Sequence, residues 1–94
     1  MDQSKKHIRI SGRVQGVGFR HFTRQNAQDL GIKGWVKNLS DGDVEAVLVG
    51  NKDNVLEMLE KLKQGPRMAR VDDLSVDEES ETLQESFDGF SVRH

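Results

Sequence analysis

The chain has 94 residues, of which 34% are hydrophobic, and this length holds one small domain, residues 1–94, because two separate cores would each bury too little surface to offset chain entropy. No apolar run approaches the roughly 18–20 residues of a membrane span, and we expect no secretory signal before Ile8, because that segment contains no long apolar stretch. The lack of cysteine excludes disulfides, thiolate zinc sites and cysteine nucleophiles. We therefore expect a cytoplasmic protein with no membrane partner, and a domain this small is expected to be a monomer. The net charge of −2 also argues against a nucleic-acid partner, since nucleic-acid binding requires several neutralised phosphates.

The first half of the chain predicts a strand, a helix and a hairpin. Ile8 and Ile10 alternate with polar residues, as in a strand with one buried face. The apolar positions that follow have helical spacing up to Gly31, a residue typical of helix ends. Turn residues 40–43 then separate two apolar runs, which indicates a hairpin. The predicted elements are a strand at 6–13, a helix at 20–30, and hairpin strands at 33–39 and 44–49.

The second half predicts another helix and two strands. Asn51 or Asp53 caps a helix that Gly65–Pro66 ends. In the strand that follows, Val71 is out of phase with Leu74, which predicts a bend or a bulge. The predicted elements are a helix at 53–63, a strand at 69–78, a solvated acidic loop at 78–82 and a short closing strand at 90–92.

The order β-α-β-β-α-β, with a short extra C-terminal strand, is the split β-α-β pattern. We therefore predict an α+β fold, a ferredoxin-like α/β sandwich in which an antiparallel sheet carries two helices on one face. Many unrelated activities share this fold, so the function has to be inferred from a site.

A glycine-rich segment, Gly12 to Arg20, connects the first strand to the first helix. Glycine allows successive backbone N–H groups to converge on an anion at a helix N-terminus, and the planar guanidinium of Arg20 could bind two oxygens of the same phosphate. The segment lacks the Gly-Lys-Ser/Thr ending of a P-loop, and His21 stands where a dinucleotide-binding motif needs a small residue. Taken alone, the residues fit a phosphate-binding loop and an ordinary tight turn between strand and helix equally well.

The same segment resembles the signature of the acylphosphatase family, and other segments extend the resemblance over nearly the whole chain. They are Gly34 to Leu39, Asp41 to Glu45 and Gly65 to Val71. The resemblance implies an enzyme that hydrolyses the carboxyl–phosphate anhydride of acyl phosphates to a carboxylate and inorganic phosphate, without a metal or a cofactor. An acyl phosphate is then the expected partner, and inorganic phosphate is the expected product and competitive inhibitor.

The resemblance also implies roles for individual residues. Arg20 binds the phosphate together with the loop amides, and Asn38 orients the attacking water. Without the resemblance, Asn38 is a strand-end residue ahead of the turn at Asp41–Gly42. Neither motif contains an obvious general base, so the proton is expected to pass to a phosphate oxygen or to solvent. The phosphate-binding loop implied in this way consists of Gln15, Gly16, Val17, Gly18, Phe19 and Arg20.

Two positions depart from the family pattern. His21 and His94 stand where aromatic residues are more usual, which affects local packing and substrate preference rather than catalysis. We interpret His21 as a histidine on the helix surface.

Two other functions remain as alternatives. One is a non-catalytic module that binds phosphate or carbamoyl phosphate, since the same domain type is found, by resemblance, in hydrogenase-maturation carbamoyltransferases. The absence of zinc-finger cysteines and of a second domain favours the free enzyme. The other is an RNA-recognition domain, which the absence of tyrosine and the acidic balance disfavour.

Overall fold

A computed structural model describes residues 3–77 and 86–93. Two helices, in contact with each other, pack on one face of a five-stranded sheet whose strand order is β4-β1-β3-β2-β5. This arrangement confirms the predicted α+β ferredoxin-like fold. The elements are β1 (Gln3–Arg13), α1 (Phe19–Asp29), β2 (Lys33–Asn38), β3 (Val44–Asn51), α2 (Lys52–Gln64), β4 (Arg70–Asp77) and β5 (Phe90–Arg93).

The element ends differ from the predicted ones by at most three residues. The predicted acidic loop at 78–82 and His94 lie outside the described residues. Among the described residues, neither helix is both long enough and apolar enough to cross a bilayer.

The sheet is mixed, whereas an antiparallel sheet was predicted. β1 pairs antiparallel with β3 and β4, and β2 pairs antiparallel with β3, but β5 pairs parallel with β2. The prediction of strand direction was wrong for β5, because direction depends on the route by which the chain returns across the sheet. The apolar residues of a four-residue strand carry no information about that route.

The predicted irregularity in β4 is a bulge. Ser11 lies opposite Asp73 and Gly12 opposite Val71, so Asp72 is an extra residue on the β4 side. The extra residue shifts the alternation of side chains by one position. Val71 and Leu74 consequently both pack against the core.

The two helices begin differently. The side chain of Asn51, rather than that of Asp53, caps α2 by accepting a hydrogen bond from the Asp53 backbone N–H (2.9 Å). α1 instead begins after Gly18, which has no side chain to cap the helix. The first turn of α1 thus leaves backbone N–H groups without a capping side chain.

The main core lies between the sheet and the two helices. Its buried side chains include Val14 and Phe19, which flank residues 15–18, so both ends of the β1–α1 loop are anchored in the core. A smaller cluster on the opposite face of the sheet contains Trp35. The main core consists of Ile8, Ile10, Val14, Phe19, Ala27, Ile32, Val36, Val44, Ala46, Leu48, Val55, Met58, Leu62 and Phe90.

Candidate active site

A cleft of about 190 Å³ lies where the β1–α1 loop meets the end of β2. This volume is smaller than the roughly 300–1,000 Å³ typical of pockets for drug-sized ligands, so the cleft suits a small group such as a phosphate. It is lined by Val14, Gly16, Gly18, Phe19, Arg20, His21 and Asn38.

The loop owes its shape to two glycines. Gly16 and Gly18 have φ angles of 73° and 78°, in the left-handed region that side chains disfavour. A Cβ atom at either position would meet nothing within 4 Å. Both glycines are therefore required by the backbone conformation rather than by a lack of space, and they keep the loop backbone open to the cleft.

The N-terminus of α1 follows this loop directly. Its first helical hydrogen bond runs from the Phe22 N–H to the Gly18 carbonyl (3.0 Å). The N–H groups of Phe19, Arg20 and His21 therefore have no acceptor within the helix. The first turn contains no acidic residue, and Arg20 adds a cation where the helix dipole is already positive. An anion bound in the cleft would interact favourably with both.

Asn38 contributes a side chain with an acceptor atom to the lining of the cleft. It is the last residue of β2 and is paired with Val44, the first residue of β3. Among the described residues, its Oδ1 atom is one of the buried side-chain atoms that have no hydrogen-bond partner. A buried amide oxygen without a donor is costly, and the residue that carries it lines the cleft.

Two residues of the predicted phosphate-binding loop do not line the cleft with their side chains. The Gln15 side chain turns toward the β2–β3 turn, where its Nε2 donates to the carbonyls of Leu39 and Asp43, each at 2.8 Å. Val17 packs against the main core. The predicted role of Gln15 and Val17 in binding phosphate concerns their backbone N–H groups, and it stays a prediction.

The β2–β3 turn is held by ionic contacts as well. Arg9 donates from Nε to Asp43 (2.7 Å) and from Nη2 to Asp41. The hydrogen bond to Asp43, together with the nearby negative charges, raises the pKa of Arg9 above its ordinary value, although burial acts in the opposite direction. These groups are exposed or near the surface, so their contribution to stability is small.

The structure brings together the two residues predicted to be catalytic, Arg20 and Asn38, and adds His21 to the cleft wall. His21 is exposed, as predicted for a helix-surface histidine, but it also borders the cleft. Within residues 3–77 and 86–93, no group of three or more histidine and carboxylate side chains is placed to hold a metal ion. The contact between Gln15 and the turn was not foreseen, because the sequence contains no signal for the direction of a loop side chain.

Comparison with known proteins places these features in a family context. The acylphosphatase family model matches residues 6–92. The chain is 51% identical over 79 residues to an acylphosphatase of Syntrophobacter fumaroxidans, an alignment that spans 84% of this chain and 81% of the relative. Its fold matches the structure of an acylphosphatase from Coxiella burnetii with a TM-score of 0.89 and 40% identity, over 98% of this chain and 94% of that one.

A second kind of structure is also similar. The fold matches part of full-length HypF, crystallised in a phosphate- and nucleotide-bound form, with a TM-score of 0.87 and 28% identity. The match covers 99% of this chain but only 12% of HypF. A domain of this fold is thus found both as nearly the whole of a small protein and as part of a much larger one.

Proposed function

Because the chain belongs to the acylphosphatase family, we propose that the cleft between Arg20 and Asn38 is the site at which it hydrolyses acyl phosphates. The chain is a hydrolase that acts on acid anhydrides, as its family membership and its similarity to named acylphosphatases indicate. The proposal concerns the mechanism: which groups bind the phosphate, which group directs water, and where the bonds break.

The phosphate is bound by the backbone N–H groups of the β1–α1 loop and of the first turn of α1, together with the Arg20 guanidinium. Support comes from the left-handed Gly16 and Gly18, the uncapped helix N-terminus and the absence of an acidic residue in the first turn. Fixed N–H donors stabilise the negative charge that develops on phosphate oxygens without reorganising during the reaction. A guanidinium adds two parallel hydrogen bonds to a tetrahedral anion.

The observation that carries the proposal is the buried, unpaired Oδ1 of Asn38 beside this anion site. We assign it to accept a hydrogen bond from the attacking water and so to hold the water against the phosphorus atom. An amide is too weak a base to remove the proton, so its contribution is orientation.

The reaction then proceeds by displacement at phosphorus. The water oxygen forms a bond to phosphorus, and the bond between phosphorus and the acyl oxygen breaks with its electron pair remaining on the carboxylate. The water proton passes to a phosphate oxygen or to solvent. A carboxylate is a stable leaving group and needs no proton, so positioning and charge stabilisation supply the catalysis.

Hydrolysis of an aryl acyl phosphate by the purified protein tests the proposal. We expect turnover that is unaffected by EDTA and is inhibited competitively by inorganic phosphate. Loss of activity with EDTA would contradict catalysis by the backbone N–H groups, the Arg20 guanidinium and the Asn38 side chain alone. A folded protein that binds phosphate but gives no turnover would instead support the alternative, a non-catalytic module that binds phosphate or carbamoyl phosphate.

We also propose that the enzyme works as a monomer in the cytoplasm. A chain with no cysteine is suited to a reducing compartment. Light scattering coupled to gel filtration would measure the mass in solution, which we expect to match a single 10.6 kDa chain.

A further inference from the structure

We propose that Gln15 is a positioning residue that sets the placement of Asn38 relative to the phosphate-binding loop. This inference rests on the proposed function, because it concerns the water that Asn38 is assigned to orient. The β1–α1 loop and the end of β2 are separate segments of the chain, and catalysis requires their groups to keep a constant relative position. The Gln15 side chain bridges the two segments directly.

The bridge uses both hydrogens of one nitrogen atom. Gln15 Nε2 donates to the Leu39 carbonyl and to the Asp43 carbonyl, each at 2.8 Å, and the two contacts are partly buried. Each carbonyl also accepts a backbone hydrogen bond within the turn, from the Gly42 N–H (3.2 Å) to Leu39 and from the Leu39 N–H (2.8 Å) to Asp43. A carbonyl oxygen has two lone pairs, so with the bond from Gln15 each of the two carbonyls accepts two hydrogen bonds.

The contacted carbonyls lie next to the end of the sheet ladder. The pairing of β2 with β3 ends at Asn38 and Val44, and Leu39 is the residue that follows Asn38. Beyond this last pair, the hydrogen bonds of the turn hold Leu39, the neighbour of Asn38, and so limit how far the end of β2 can shift. Gln15 is joined to that turn and is also adjacent to Gly16 of the loop, so it couples the position of the bound phosphate to the position of the water.

Replacement of Gln15 by methionine tests the inference, because methionine has a similar length and no N–H donor. We expect Gln15→Met to lower kcat about tenfold or more, since small misplacements of catalytic groups are costly, while the inhibition constant of phosphate changes by less than about twofold. A loss of phosphate affinity equal to the loss of kcat would overturn the inference and would make Gln15 part of phosphate binding.

A double-mutant cycle with Asn38 shows through which residue Gln15 acts. In an Asn38→Ala background, Gln15→Met should slow the reaction by less than about twofold, because the residue it positions has been removed. An undiminished effect in that background would overturn the inference and leave the proposed function intact. If Asn38→Ala alone retained full kcat, the proposed role of Asn38 would fail, and the inference with it.

Arg9→Ala is the matched control, since Arg9 contacts the same turn through the exposed side chain of Asp41 and the partly buried side chain of Asp43 rather than through backbone carbonyls. We expect it to change kcat by less than about twofold, as exposed ion pairs contribute little. A tenfold loss in Arg9→Ala would mean that any disturbance of the turn slows the enzyme, and would overturn a specific role for Gln15.

A second variant keeps the test available if Gln15→Met does not fold. Gln15→Glu has the same length, and its side chain donates a hydrogen bond only when it is protonated. Its kcat relative to wild type should therefore rise as the pH falls toward the ordinary pKa of glutamate, about 4.3. A ratio that does not depend on pH would overturn the inference.

Discussion

Arg20 and Asn38 line one cleft, although Arg20 lies in the first turn of α1 and Asn38 is the last residue of β2. The sheet creates this proximity, because β1 and β2 both pair with β3, and the loop that follows β1 therefore lies near the end of β2. The arrangement brings a cation, the N-terminus of a helix and a residue with an unpaired amide oxygen to the wall of one small cleft.

Arg20→Ala should lower kcat/KM by about 10²–10³-fold or more, because loss of one donor to a developing oxyanion has an effect of this size and a guanidinium supplies two. Steady-state hydrolysis of an aryl acyl phosphate measures the effect. Arg24→Ala is the control, since Arg24 is exposed and lies one turn further along α1. If Arg20→Ala is folded and turns over at the wild-type rate, the assignment of Arg20 is wrong.

Asn38→Ala should lower kcat by about tenfold or more while phosphate inhibits as well as before, because we assign the amide to orient water rather than to bind the anion. The measurement is kcat together with the phosphate inhibition constant. Asn54→Ala, on the other helix, controls for loss of an asparagine amide elsewhere in the fold. Parallel losses of kcat and of phosphate affinity would make Asn38 a phosphate ligand.

Gly18→Ala and Gly31→Ala separate the role of the loop in binding from its role in stability. The two glycines have φ angles of 78° and 67°, and a Cβ at either one would meet nothing within 4 Å. Each substitution should therefore lower the free energy of unfolding by about 1–2 kcal/mol, the cost of a left-handed conformation. Denaturant titration measures that free energy.

Phosphate binding should distinguish the two glycine variants. Only Gly18 precedes α1 and lines the cleft, whereas Gly31 follows the end of α1. Gly18→Ala should weaken phosphate binding, measured by calorimetry, and Gly31→Ala should not. Equal phosphate affinities in the two variants would show that the loop conformation is not required for the anion.

Leu62→Ala should lower the free energy of unfolding by about 2–5 kcal/mol, because Leu62 is fully buried between α2 and the sheet and its truncation leaves a cavity. Leu56→Ala on the same helix should change it by less than about 0.5 kcal/mol, since Leu56 is 49% exposed. Urea unfolding of both variants checks the difference. Similar values for the two would mean that α2 does not pack on the sheet as described.

Local patterns in the sequence predicted most of the architecture. The alternation of Ile8 and Ile10 identified β1, and Gly65–Pro66 identified the end of α2. The phase change between Val71 and Leu74 predicted the bulge, because a single extra residue is the simplest way for a strand to bring both side chains to one face. Such signals are readable because they depend on neighbours a few residues apart.

For the site, the sequence alone determined which residue types are present and their order: glycines that allow a left-handed loop, Arg20 after the loop, and Asn38 at a strand end. Only the tertiary structure decided that Arg20 and Asn38 share a cleft and that the Asn38 oxygen is buried without a donor. It also decided that Gln15 donates to the Leu39 and Asp43 carbonyls. The parallel pairing of β5 with β2 was likewise visible only in the structure. The physical reason is that each of these features depends on groups far apart in the chain. Their relative positions arise only when strand pairing and core packing act together.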